Sequence, residues 1–139
     1  MGQIRFEDDY MFRNNRMITS SPDIALTELV ANAWDAGALH VNIKLPIEDD
    51  SIISVMDDGS GMSEEEFNER WMTLNYNRTK HQGKYVIFPE GVEENRTRVA
   101  YGRNGVGRHG MLCFADKYVV KTWKNGTCLE CTISTSSGD

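Results

Sequence analysis

The apolar and polar positions of PDIALTELVANAWDA recur with a helical period, and the stretch ahead of them is built to start a helix. Ser20-Ser21-Pro22-Asp23 supplies an N-cap, a proline in the first turn and an early acid that suits the positive helix end. Gly37 follows as a C-cap, so the spacing predicts a helix over 22–36. Residues 40–45 and 51–55 alternate as strands around the polar turn PIEDD, which predicts a hairpin. Ser63 with Glu66 forms a capping box, and Phe67, Trp71 and Leu74 then give a second helix its apolar face. Residues 75–104 carry no clean period and read as a long mobile connection, a type of segment that more often serves as a lid or binding loop than as inert linker. Beyond it, 105–115 reads as helix and 117–123 and 127–133 as strands, joined by the type I′ signal Asn125-Gly126. Residues 1–20 mix charge, aromatics and Met without a period and are open to a short helix, a strap or an oligomer contact.

Composition narrows the class. At 139 residues, with 40% hydrophobic and 26% charged positions and 3 Pro, the chain suits one globular domain with a core. A net charge of -6 offers nucleic acid no overall attraction, so direct binding to it is not expected. Three Cys are too few for a disulfide scaffold. No apolar run approaches the roughly 20 residues that span a bilayer, and MGQIRFEDDYMF lacks a signal-peptide core. These features lead to an expectation of a cytoplasmic protein with no membrane association.

Three local clusters could carry chemistry. Glu28, Asn32 and Asp35 follow i, i+4, i+7 and share one helix face, with Leu26, Val30 and Ala33 expected opposite. The bland reading is a solvated face. The chemical one is a carboxylate able to deprotonate water beside a carboxamide able to offer Mg²⁺ a neutral oxygen, with Asp35 bracing the helix or a glycine turn. Asp57-Asp58-Gly59-Ser60-Gly61-Met62 follows a strand, where Asp57 can accept from an amino group such as that of adenine and Met62 can touch its ring. By itself it is also an ordinary Asp-Gly turn. Gly102-Arg103-Asn104-Gly105-Val106-Gly107 precedes a helix and can present N–H groups to phosphate, although it lacks the Lys-Ser/Thr ending of a P-loop. Lys80, with Arg78, could approach phosphates from the connection, while Arg103 and Arg108 flank the glycines. His40, His81 and His109 show no metal-ligand spacing, and Cys128 and Cys131 would point to opposite faces of a strand.

ELVANAWDAG, DDGSGM and GRNGVGRHGMLCFADKYVV stand in the order and approximate spacing of the GHKL ATPases, the relatives of gyrase, heat-shock chaperones, histidine kinases and MutL, and the chain resembles that family over about residues 22–125. The resemblance implies a two-layer α/β sandwich with a mixed, mainly antiparallel sheet and helices on one face. It implies ATP as ligand or substrate and Mg²⁺ as cofactor, with a lid at about 75–104. Glu28 would be the general base, Asn32 the Mg²⁺ ligand and Asp57 the adenine reader, with Gly59, Gly61 and Met62 shaping that pocket. Gly102, Arg103, Asn104, Gly105, Val106 and Gly107 would wrap the phosphates, with Lys80 nearby. ALTELVANAWDAGA is more similar to the MutL, MORC and chaperone-like hydrolases than to the kinases.

The chain departs from the family in two respects. Family members bring a further Thr to adenine from a late strand, a role Thr127 or Thr132 is not expected to fill, and no transducer or other output domain is expected within these 139 residues. The expectation is therefore a fold truncated at its C-terminus, whose full-length form would add a partner or output domain and a nucleotide-dependent homodimer. ATP hydrolysis is the leading expectation. An ATP-sensing module without turnover and the ATP-binding module of a histidine kinase are the alternatives.

Overall fold

The computed structural model describes residues 21–48, 52–73, 76–101 and 107–134. Helix α1 spans Pro22–Asp35, with Ser21 in the N-cap position and Pro22 in the first turn. Its far end closes as a Schellman turn: the Ala38 N–H donates to the Ala33 carbonyl at 3.1 Å and the Gly37 N–H to Trp34 at 3.1 Å. Gly37 takes the left-handed φ of 77° that this turn demands. A Cβ there would also lie 2.7 Å from the Ile87 carbonyl oxygen, so the turn packs directly against residues 87–89.

Strands β1 (Val41–Lys44) and β2 (Ser54–Asp57) form the expected antiparallel hairpin, Val41 facing Asp57 and Lys44 facing Ser54. The second strand lies later than the alternation over 51–55 predicts, which brings Asp57 onto its last position. The capping box at Ser63 and Glu66 forms in both directions and starts α2 (Glu64–Glu66), which continues as a π turn over Phe67–Trp71. Phe67 is buried; Leu74 lies outside the described residues.

The connection predicted to be irregular holds regular pieces. Asn77 caps a short helix α3 (Arg78–Gln82), and Tyr85 bridges Val99 in an antiparallel ladder, with the Val86 N–H on the Arg98 carbonyl and the Ala100 N–H on that of Lys84. The predicted helix over 105–115 is a 3₁₀ helix, Gly107–Cys113, kinked at His109. In a 3₁₀ helix residues three apart eclipse, so Gly107 and Gly110 present one bare edge to α1. A Cβ on Gly110 would sit 3.0 Å from the Ala25 carbonyl oxygen and 3.4 Å from Leu29 Cγ.

Strands β3 (Lys117–Lys124) and β4 (Thr127–Ser134) pair in register through Asn125 and Gly126, whose φ values of 53° and 77° are those of a type I′ turn. All strand pairing among the described residues is antiparallel and falls into two two-stranded units. The chain is thus an α/β fold in which α1 runs against the 3₁₀ helix and both hairpins reach the turn after β2. The core includes Ala25, Leu29 and Ala33 of α1 together with Phe67, Tyr76, Val86 and Tyr118. This corrects the apolar face predicted for α1: Val30 is 37% exposed and Leu26 only half-buried, because the buried stripe is set by contact with the 3₁₀ helix at Ala25 and Leu29.

Candidate functional site

Glu28, Asn32 and Ala36 follow one another at single-turn intervals along one flank of α1, and a glycine meets each end of the row. At the first end, a Cβ on Gly107 would collide with the Glu28 carboxylate. At the other, a Cβ on Gly59 would lie 2.7 Å from Ala36 Cβ, and the Ser60 N–H donates to the Ala36 carbonyl at 2.9 Å. Gly59 and Gly107, far apart in sequence, therefore bracket a stretch of about 12 Å of helix, eight residues at about 1.5 Å each.

Glu28 is half-buried, and its carboxylate forms no hydrogen bond or ion pair among the described residues. Asn32 is half-buried too, and its Nδ2 is sealed from solvent without a hydrogen-bond partner. A buried carboxamide atom without a partner costs about 1–3 kcal/mol. A half-turn of the amide exchanges its nitrogen and oxygen, so the same position can present a neutral oxygen. Such an oxygen beside a carboxylate fits a hard divalent cation such as Mg²⁺.

Asp57 closes β2 with its carboxylate exposed. Oδ1 accepts from the Gly59 N–H at 2.8 Å, which fixes the side chain in the turn, and the other oxygen is left to accept from a ligand. One residue holds this turn that the sequence did not single out. Thr122, buried on β3, accepts the Met62 N–H on its Oγ1 at 2.8 Å. Gly61, at φ 67°, lets the Trp123 carbonyl approach so closely that no side chain would fit. Asp58 faces the other way: it accepts the Leu39 and His40 N–H groups at 2.7 and 2.9 Å, and these bonds with the His40 ring pull its pKa down to about 2. The inward period of β3 is the signal that could have found Thr122, because Tyr118, Val120 and Lys124 share its face. Thr127 and Thr132 are exposed on β4.

Of the third box, Gly102, Arg103, Asn104, Gly105 and Val106 lie outside the described residues and only Gly107 is placed. Lys80 is exposed on α3, and among the described residues no contact joins its ammonium to the other site residues. Arg78 is engaged inside the fold, where the reading of NYNRTK weighs a phosphate contact against a solvated surface role. It is buried, donating to the Asp35 carbonyl at 3.2 Å and the Gly83 carbonyl at 3.1 Å. Asp35 accepts the Tyr101 N–H at 2.7 Å, the bracing role its position suggested.

Behind the glycine box, His109 is buried against Tyr118, its Nδ1 2.6 Å from the phenol oxygen, which also accepts from Trp71 Nε1 at 3.1 Å. With the imidazole neutral, as its burial favours, Nδ1 can accept the phenol proton while the phenol oxygen accepts from the indole. Burial holds its pKa down to about 4, with the Arg108 charge adding to the effect. Burial also lowers Arg108, to about 10, while its guanidinium lies 5.5 Å from the centre of the Tyr76 ring.

No curated protein matches the chain. A family model described as histidine kinase-, DNA gyrase B- and HSP90-like ATPase matches residues 19–137, a span containing Glu28, Asn32, the Asp57 turn and Gly107. The match covers most of the chain, and this protein belongs to that family of ATPase domains.

Proposed function

We propose that this domain binds Mg²⁺·ATP along the flank of α1 and hydrolyses its β–γ phosphoanhydride, using the nucleotide as a conformational switch. Membership in the family implies ATP binding. The observation that carries the finer reading is the row Glu28–Asn32–Ala36 with Gly107 against one end and Gly59 against the other. A nucleotide lying along this row has its base at Asp57 and its phosphates at the glycine box.

In this reading Asp57 accepts from the adenine amino group while Gly59, Gly61 and Met62 shape the pocket. The N–H groups of residues 102–107 cradle the phosphates, with Lys80 as a further cation. Mg²⁺, held through the Asn32 oxygen, would supply charge neutralisation across the phosphates. Glu28 takes a proton from water, the water oxygen forms a bond to the γ-phosphorus, and the bond to the β–γ bridging oxygen breaks to leave ADP and phosphate. Glycine N–H groups stabilise the charge that develops on the equatorial oxygens.

Single-turnover ADP production with protein in excess tests the reaction. Wild type should convert bound ATP, and Glu28→Ala should keep affinity within about threefold while losing at least about 100-fold in rate, within the range for loss of a general base. Equal rates would remove Glu28 as the base. Binding without ADP in wild type would indicate a sensing module, and label transferred to a protein histidine would indicate a kinase.

A further inference from the structure

The segment that leads into the glycine box is fastened to the same helix that carries Glu28 and Asn32. The fastening is concentrated at one end of α1. Arg98 donates to the Trp34 and Ala38 carbonyls at 3.1 and 2.8 Å, its guanidinium 4.1 Å from the Trp34 ring centre and 4.7 Å from that of Phe88. The Trp34 indole N–H returns a bond to the Val99 carbonyl at 2.8 Å. Asp35 then takes the Tyr101 N–H at 2.7 Å, and Arg78 Nε stands 4.0 Å from its second oxygen. Tyr101 is the residue immediately before Gly102. Gly107, at the other end of the box, lies against Glu28, seven residues and about 10 Å along α1 from Asp35.

We infer that Asp35 is a positioning residue for phosphate binding: its carboxylate fixes the Tyr101 N–H, and with it the point beside α1 from which the chain enters the glycine box. The inference rests on the ATP reading above. Asp35 touches no substrate in it. A carboxylate suits the task because it accepts the backbone N–H with one oxygen while the other faces the buried Arg78, whose own bonds hold the guanidinium in place. The adenine end is independent, since Asp57 is fixed through Gly59 and Thr122.

Titrating Mg·ATP and, separately, adenosine into wild type, Asp35→Ala and Asp35→Asn tests the assignment. Asp35→Ala should weaken ATP at least about tenfold and adenosine less than about twofold. Asp35→Asn keeps an oxygen for Tyr101 and should recover most of the ATP affinity. Should Asp35→Ala fail to fold, Tyr101→Pro removes the donor itself and should reproduce the selective loss, whereas Tyr101→Ala keeps the N–H and should not. Equal losses for both ligands, or no loss for ATP, would overturn the inference. Hydrogen exchange at the Tyr101 amide, without nucleotide, separates this inference from the ATP reading. Exchange should quicken in Asp35→Ala and not in Asp35→Asn, and unchanged exchange overturns the tether even if ATP binds. A wild type that binds neither ligand would sink the ATP reading, and the exchange result would still decide whether Asp35 holds Tyr101.

Discussion

His109 links the glycine box to β3 by being neutral. Its pKa drops from 6.5 to about 4 in the folded protein, so below pH 6.5 the unfolded chain takes up a proton that the native ring refuses. Stability from this group is complete above pH 6.5 and declines as pH falls toward 4, by about 3 kcal/mol at a little over 1 kcal/mol per pH unit. Glu66 and Asp58, both drawn down to about 2, act in a lower window: their contribution is present above their unfolded values and is lost as pH falls below about 4. Urea unfolding from pH 7 to 4 should show the decline in wild type and lose most of it in His109→Phe. A wild-type profile flat to pH 4 would contradict the neutral, buried ring. Little of this was legible beforehand, because nothing adjacent to His109 in sequence reveals Tyr118 and Trp71 as its partners. Thr122 and Arg78 escaped for the same reason: both are polar residues whose roles come from backbone groups on distant elements.

Elements whose instructions are local were readable, and those assembled by distant contacts were not. Pro22, the Ser63–Glu66 box and Asn125-Gly126 each act within four residues, and each element appears where expected. The connection from 76 to 101 showed no period because its order comes from Arg98, Trp34 and Asp35 bonding to backbone across the fold. Gly37 is the joint between the two regimes. Gly37→Ala should cost about 2–4 kcal/mol, combining the left-handed φ with a clash against residues 87–89. Gly91, at φ 83°, is also left-handed but a Cβ there meets nothing within 4 Å, so Gly91→Ala should cost only about 1–2 kcal/mol. Chemical denaturation of the two variants checks the difference, and equal losses would mean that the packing of Gly37 adds nothing.

At the scale of the whole molecule, the turn after β2 and Gly107 of the third box meet the same helix, the one that carries the first box. The i, i+4 spacing placed Glu28 and Asn32 on one helix face, but it could not say that Gly107 abuts Glu28 or that Gly59 abuts Ala36. Order along the chain pointed to the family, and the family match supports it. No helix among the described residues is long and apolar enough to cross a membrane. The central claim is that this flank of α1 is a nucleotide site read at one end by Asp57. Calorimetric titration of Mg·ATP into wild type and Asp57→Ala tests it most directly. Saturable one-to-one binding in wild type, weakened at least about 30-fold in Asp57→Ala by loss of a charge-assisted hydrogen bond worth about 2 kcal/mol or more, is the predicted result; equal affinities, or no saturable binding by wild type, would contradict it.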